Sequence, residues 1–379
     1  MKIAQVAPLA ESVPPQLYGG TERMVAYLVD ELVDRGHDVT LFATGDSQTS
    51  ARLVAICPEG LRLSHQLRDP LALHFVMIEL VARRASEFDL IHFHVAPFHF
   101  PVARRMEVPH VTTLHGRLDI ADLKPFYREF GDIPVVSISD AQRRPLPHAN
   151  WVGTVYHGGP LDALPFRAES DGYFAFLGRI SPEKRLDRAI AIAKACEYPL
   201  RIAAKVDPAD ANYFAREIEP LLDHPLITYV GEIGNAEKAA FLGGATALLF
   251  PIDWPEPFGL VMIEAMACGT PIVAFRGGSV DEIIEDGVTG FVVENLDQAV
   301  DAARRVGDLD RHACRATFEH RFSVERMAAD YVHLYEQAVA RRAKGGNARD
   351  RRGSAGQVVP GVAAAPVPIA ATPPNEIAS

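Results

Sequence analysis

No apolar run in this sequence reaches the roughly 18 residues that suggest a membrane-spanning helix. The opening stretch, MKIAQVAPLA, has neither the apolar core nor the cleavage site of a secretory leader. It reads instead as a first β-strand, and the expected compartment is the cytoplasm. Cysteine is sparse too: Cys57, Cys196, Cys268 and Cys314 lie too far apart for a zinc or redox spacing. They are expected as small, mostly buried residues in a reducing environment. Positive charge is in deficit, with a formal net charge of −11. Nucleic-acid binders draw affinity from neutralising phosphates, so that partner class is excluded, although a local basic patch for a diphosphate is not.

What is present is the alternation of strands and helices. At 379 residues the chain is expected to form two domains. The first series opens with a strand over 2–8 and a polar loop containing Tyr18-Gly19-Gly20-Thr21. A helix follows over 22–35, where Met24, Leu28 and Leu32 recur every four residues with Val25 and Val29 beside them. Further strands are predicted at 39–43, 90–93, 110–114 and 135–138. The second series begins with a strand over 173–177 and a helix over 186–196. Its later strands are predicted at 200–204, 227–230, 247–250, 271–275 and 290–293. Such alternation implies α/β, doubly wound parallel sheets. From Arg342 the composition turns to Ala, Pro, Val and Gly without periodicity, and 342–379 is read as a disordered tail.

One stretch carries chemistry, running from Pro251 through Asp253-Trp254-Pro255-Glu256-Pro257-Phe258-Gly259-Leu260 to Glu264 and Ala267-Cys268-Gly269-Thr270-Pro271. Glu256 stands at a helix entrance, where a carboxylate is favoured electrostatically and needs no further explanation. Glu264 interrupts an otherwise wholly apolar helix. A charge buried there costs several kcal/mol unless it is paired, so it requires a partner, either internal or a ligand hydroxyl.

This segment resembles the donor-binding signature of family-four retaining glycosyltransferases of the GT-B fold. The resemblance extends over residues 1 to about 340, and Gly277-Gly278-Ser279-Val280-Asp281-Glu282 continues it. It implies two Rossmann-like lobes with a cleft between them. The first lobe, 1–158, binds the acceptor and is completed by a last helix at about 323–340; the second, 170–322, binds a nucleoside-diphosphate sugar. By the same resemblance Glu264 holds the ribose hydroxyls and Glu256 the sugar hydroxyls, with Phe258, Gly259 and Leu260 alongside. Arg179 and Lys184 contact the diphosphate, so that neither a metal nor another cofactor is required. On physical grounds alone, a departing diphosphate demands something cationic, either a metal or fixed Arg and Lys.

The loop Gly19-Gly20 precedes a helix N-terminus, where free N–H groups suit an anion. In the resembling family, His115 lies beside the sugar near its primary hydroxyl, and the Val230–Gly234 turn, with Ile233, reads the nucleobase. Tyr18, Thr21, His94, Arg117 and Asp119 are the acceptor-side candidates. His92, His94 and His99 cluster in sequence, but no carboxylate or cysteine completes a metal set, and they read as strand-end residues. Asp308-Leu309-Asp310 reads as surface charge. The paired arginines Arg83-Arg84, Arg104-Arg105 and Arg143-Arg144 are expected as solvated, with peripheral membrane contact as their sharper alternative.

The opening segment also resembles a bacterial branch that includes pterin glucosyltransferases. The expected activity is thus retaining transfer of a hexose, glucose by default from UDP-glucose, to an acceptor the sequence does not name. The rival readings are a GT-B phosphorylase or epimerase and a non-catalytic nucleotide-sugar sensor.

Overall fold

Two parallel sheets organise the chain, because their strands are apolar on both faces and must be covered by the helices that join them. The computed structural model describes residues 1–16, 19–62, 64 and 69–350. The first sheet contains β1 (Lys2–Val6), β2 (Asp38–Ala43), β3 (Arg52–Ala55), β4 (Leu90–Phe93), β5 (His110–Thr113), β6 (Val135–Ser137) and β7 (Trp151–Thr154), in the order β3-β2-β1-β4-β5-β6-β7. The second contains β8 (Tyr173–Arg179), β9 (Leu200–Lys205), β10 (Ile227–Gly231), β11 (Ala245–Phe250), β12 (Ile272–Phe275) and β13 (Gly290–Val293), in the order β10-β9-β8-β11-β12-β13. All pairings are parallel. β3 and β7, which the sequence pattern does not reveal, are four-residue strands at the two edges of the first sheet. An edge strand covered on fewer sides lacks the continuous apolar run that marks its neighbours.

Strand order reverses beside β1 and beside β8. Open α/β sheets bind ligands at such switch points, outside the carboxyl ends of the strands. The loop after β1 carries Gly19 and Gly20, and the loop after β8 carries Lys184, so both anion-type segments sit at a switch point.

Five helices matter for the site: α1 (Gly20–Asp34), α2 (Leu186–Ala195), α3 (Asn235–Gly243), α4 (Leu260–Ala267) and α5 (Val324–Asp350). α1 buries Val25, Leu28, Val29 and Leu32 against Ile3 and Leu41 of the first sheet. The same core takes Val324, Met327, Ala328, Tyr331 and Tyr335 of α5. Where the chain crosses back, Gly159 N–H donates to Phe322 O at 2.9 Å and Val324 N–H donates to Gly159 O at 3.0 Å. A Cβ on Gly158 would stand 2.2 Å from Ser323 O, so glycine is required at that crossing. α5 continues to Asp350, past the end near 340 expected from the sequence. The rest of the expected tail, 351–379, lies outside the described residues. No helix among the described residues is long and apolar enough to cross a membrane.

Glu282 ties the two halves together. Its carboxylate accepts from Asp140 N–H at 2.7 Å and Ala141 N–H at 2.6 Å, the start of the short helix Asp140–Arg143, and from the Tyr156 hydroxyl at 3.1 Å. Ser139 Oγ donates to Pro257 O at 2.6 Å, anchoring the loop that bears Glu256. Of the paired arginines, Arg84, Arg104 and Arg143 form ion pairs with Glu87, Asp132 and Asp140. Asp308 and Asp310 are exposed, and Asp310 caps the helix Arg311–Arg321.

The clustered histidines are buried and bonded within the protein. His92 meets Tyr335 and Thr113, His94 meets Gln5 and His115, and His99 meets Ala96 O and Thr112. Burial holds His92, His94, His99, His115 and His157 well below the usual imidazole range, His99 and His115 at about 3. Below pH 6.5 the unfolded chain takes up protons that these five refuse when folded, so their contribution to stability is lost as pH falls. Glu22 works in the opposite sense: burial pushes its carboxyl up to about 7, so it holds a proton in the fold that the unfolded chain releases. Burial raises the Glu11 carboxyl as well, and five imidazoles against two carboxyls leave acid as the destabilising direction. We expect the melting temperature to fall steadily from pH 6.5 towards pH 4.5, the ordinary values of the two groups. His99→Gln should flatten that slope by about one proton, ~1.4 kcal/mol per pH unit. A flat profile in the unsubstituted protein would contradict this reading.

Candidate active site

The second sheet places its chemistry at the carboxyl ends of β8 and β11, which are hydrogen-bonded neighbours. Lys184 leaves the β8 side on the short 3₁₀ turn Pro182–Lys184, and Glu256 leaves the β11 side on the loop before α4. The Lys184 ammonium donates to Glu256 Oε2 and lies 5.0 Å from the centre of the Trp254 ring. Trp254 Nε1 donates to the same oxygen at 3.0 Å. Glu256 is therefore 8% exposed yet compensated by an ion pair and an indole hydrogen bond.

Its position corrects the helix-entrance explanation. α4 starts at Leu260, its N-cap is Gly259 with φ 78°, and no side chain caps it. The Glu256 backbone is clamped from behind: Ser279 N–H donates to Glu256 O at 3.0 Å, and Gly278, at φ +58°, would bring a Cβ within 2.1 Å of that oxygen.

Glu264 faces outward from α4, whose Met262, Ile263, Ala265, Met266 and Ala267 are buried. The partner its burial demands is Lys238 of α3, whose Nζ donates to Glu264 Oε1 at 2.7 Å. Lys238 is not singled out by the sequence, because it lies on a different helix, and only the fold brings it to the carboxylate. The signal that pointed towards it was the need of Glu264 for compensation.

Arg179 stands among carboxylates, 2.5 Å from Glu183, 3.4 Å from Asp210 and 3.6 Å from Asp207. Lys205, at the end of β9, pairs with Asp207 at 2.9 Å. Both cations line a cavity of about 560 Å³. Its wall includes Gly19, Gly20 and Thr21 after β1, His115 and Arg117 after β5, and Lys184 after β8. Ile233 after β10 and Glu256, Phe258, Gly259, Leu260 and Glu264 around α4 complete this part of the wall. The N-termini of α1 and α4 converge there: a Cβ on Gly20 would lie 3.1 Å from Leu260 Cδ1. Two helix starts aimed into one cavity add partial positive charge to that of the lysines.

Three acceptor-side candidates are placed differently. His94 is buried behind His115, bonded to it at 2.9 Å, and does not reach the cavity wall. Asp119 is engaged by Arg117 through two bonds of 2.8 Å and also lies off the wall. Tyr18 lies outside the described residues. The wall contains other groups that no sequence spacing marked: Glu11, Glu22, Arg62, His157 and Trp254. Glu11 is buried and ion-paired with Arg62. His157 stacks on His115 with ring centres 5.3 Å apart and planes at 8°.

Because Gly278 backs directly onto Glu256, Gly278→Ala is expected to destabilise the fold by about 1–3 kcal/mol, through both the strained φ and the clash. Thermal denaturation reads it. An unchanged melting temperature would show that the loop bearing Glu256 is free to move.

Comparison with known proteins extends over both halves. The family model for glycosyl transferases group 1 matches residues 165–313, and that for glycosyltransferase family 4 matches residues 18–155. A phosphatidyl-myo-inositol mannosyltransferase from Mycolicibacterium smegmatis is 27% identical, over 89% of this chain and 91% of its own. The crystal structure of AviGT4, a glycosyltransferase involved in avilamycin A biosynthesis, superposes with a TM-score of 0.67 at 24% identity, covering 90% of this chain and 98% of that one. Anabaena HepE, solved in complex with UDP and glucose, gives a TM-score of 0.69 at 17% identity, covering 89% and 100%. With the two sheets, the two family models and these neighbours in agreement, the chain belongs to the family-four glycosyltransferases and has the GT-B fold.

Proposed function

We propose that this glycosyltransferase moves a hexose, glucose by default, from a nucleoside-diphosphate sugar to an acceptor, with retention at the anomeric carbon and without a metal. The observation that carries this reading is the pair of compensated carboxylates, Glu256–Lys184 and Glu264–Lys238, on one cavity wall with two helix N-termini. A carboxylate so paired remains an acceptor with spare lone pairs, which suits the vicinal hydroxyls of a ribose or a hexose. Glu264, paired with Lys238, takes the ribose; Glu256, beside Trp254, takes the sugar. Between them Arg179, Lys184 and the start of α4 receive the diphosphate. As the glycosidic bond breaks, charge accumulates on that diphosphate while the sugar becomes oxocarbenium-like. Fixed cations stabilise the former and need no reorganisation at the moment of reaction.

The acceptor enters from the side of Thr21, His115 and Arg117. The complex of HepE with UDP and glucose supports a uridine donor, whereas the mannosyltransferase relative makes a mannose donor the natural comparison. The four cysteines are all free thiols, which supports a reducing compartment such as the cytoplasm.

A panel of UDP-, GDP- and ADP-sugars, scored by thermal shift and by donor hydrolysis, tests the donor. UDP-glucose should stabilise the protein more than GDP-mannose, and the reverse order would reassign the sugar and base. If no nucleotide sugar binds, the transferase chemistry proposed for this cleft is wrong. Glu264→Ala should abolish the donor-induced shift. Lys184→Ala should lower kcat by about 10²–10³-fold, the scale of losing one electrostatic stabiliser of the transition state. Activity should survive EDTA, and its complete loss would establish a metal requirement.

A further inference from the structure

His115 is the cavity-lining end of a buried chain of hydrogen bonds. Its Nε2 lies 2.9 Å from His94 Nδ1, and His94 Nε2 lies 2.8 Å from Gln5 Oε1. Gln5 Nε2 donates to the Tyr335 hydroxyl at 3.1 Å, and that hydroxyl lies 2.7 Å from His92 Nδ1. His92 Nε2 lies 2.7 Å from Thr113 Oγ1, which lies 3.0 Å from the Tyr331 hydroxyl. Gln5, His92, His94, Thr113, Tyr331 and Tyr335 are all buried.

Such a chain has two self-consistent directions, because each imidazole gives a hydrogen at one nitrogen and takes one at the other. The Gln5 amide selects between them: its Oε1 can only accept, so His94 donates from Nε2 and takes at Nδ1 the hydrogen on His115 Nε2. His115 Nδ1 is buried and has no hydrogen-bond partner among the described residues. If the chain ran towards the cavity, that nitrogen would carry an orphaned N–H, the costlier kind of unsatisfied group. If it runs away from the cavity, Nδ1 is a bare lone pair, and each member from His94 to Thr113 gives and takes one hydrogen bond along the chain. At the far end the Tyr331 hydroxyl takes the last hydrogen bond, from Thr113. Bonds aligned in one direction also strengthen one another.

We infer that Gln5 and His94 are positioning residues: they hold His115 as the neutral tautomer with its hydrogen on Nε2, so that Nδ1, covered in the ligand-free protein, is left as an acceptor for a hydroxyl hydrogen. The ligand part of this inference rests on the glycosyl-donor reading above; the tautomer does not. Burial also keeps the ring neutral, with its pKa at about 3. His115 therefore faces the cavity uncharged, as a hydrogen-bond acceptor and not as a proton donor.

Long-range ¹H–¹⁵N spectra of ligand-free protein labelled at histidine nitrogen read the tautomer directly. His115 and His94 should both show hydrogen on Nε2 and a bare Nδ1. Gln5→Glu still accepts from His94 and should preserve that pattern, whereas Gln5→Met cannot and should leave His115 as a tautomer mixture. With UDP-glucose as donor, Gln5→Met should lower kcat about tenfold, the worth of one hydrogen bond. UDP binding should change less than twofold, and Gln5→Glu should restore the rate. Hydrogen on His115 Nδ1 in the unsubstituted protein would overturn the inference. So would a Gln5→Met protein whose His115 signals are unaltered. If Gln5→Met fails to fold, the unsubstituted and Gln5→Glu spectra still decide. Failure of UDP-glucose to bind would count against the donor reading and leave the spectra to judge the tautomer alone.

Discussion

Glu256 can occupy its buried position only because Lys184 is there to meet it. Leaving one member of such a pair alone in the interior costs about 3–5 kcal/mol, a large part of the total stability of a domain. The pair also has a topological origin. Lys184 follows β8 and Glu256 follows β11, and these strands are adjacent in the sheet although far apart in the chain. In a parallel sheet, neighbouring strands release their loops at the same end, so the two loops must lie side by side. The ion pair then fixes their separation. Gly278 and Ser279 hold the Glu256 backbone from the other side, and the loop has little freedom left.

The sequence disclosed those parts of the molecule in which one residue type is physically costly. Strands such as Leu90–Phe93 and Ala245–Phe250 were legible because a central parallel strand must be apolar on both faces. Glu264 was legible as an anomaly for the same reason: a charge in an apolar helix must be answered. Its answer, Lys238, was not legible, since pairing across helices depends on packing rather than on spacing. His94 was placed too near the ligand because a residue at a strand end can point into the cleft or behind it, and sequence does not distinguish the two. The helix-start explanation of Glu256 failed for a comparable reason. It counted position along the chain, whereas the carboxylate turns to a lysine on another loop.

Polar burial is concentrated in the first half of the cleft. His92, His94 and Gln5 take no part in covering the core with apolar surface, yet they are as buried as the strands that carry or precede them. Tyr335, which bonds Gln5 and His92, and Tyr331, which bonds Thr113, come from the helix that closes the described chain. The same helix thus supplies apolar contacts to the first sheet and hydroxyl groups to the network beneath His115. Loss of that helix would uncover the core and leave several buried polar groups unsatisfied at once, so fold and site share one support.

The carboxylate of Glu282 has a further consequence. It sits at the amino end of the helix Asp140–Arg143, which belongs to the other half of the molecule, and serves as that helix's cap. Any parting of the two halves along this seam must uncap the helix, exposing two backbone amides to water. Ser139, whose hydroxyl accepts from Gln142 N–H at 3.0 Å, stays behind as a second cap. The seam therefore behaves like a ratchet tooth: a large rigid-body movement is coupled to the fraying of a single helical turn.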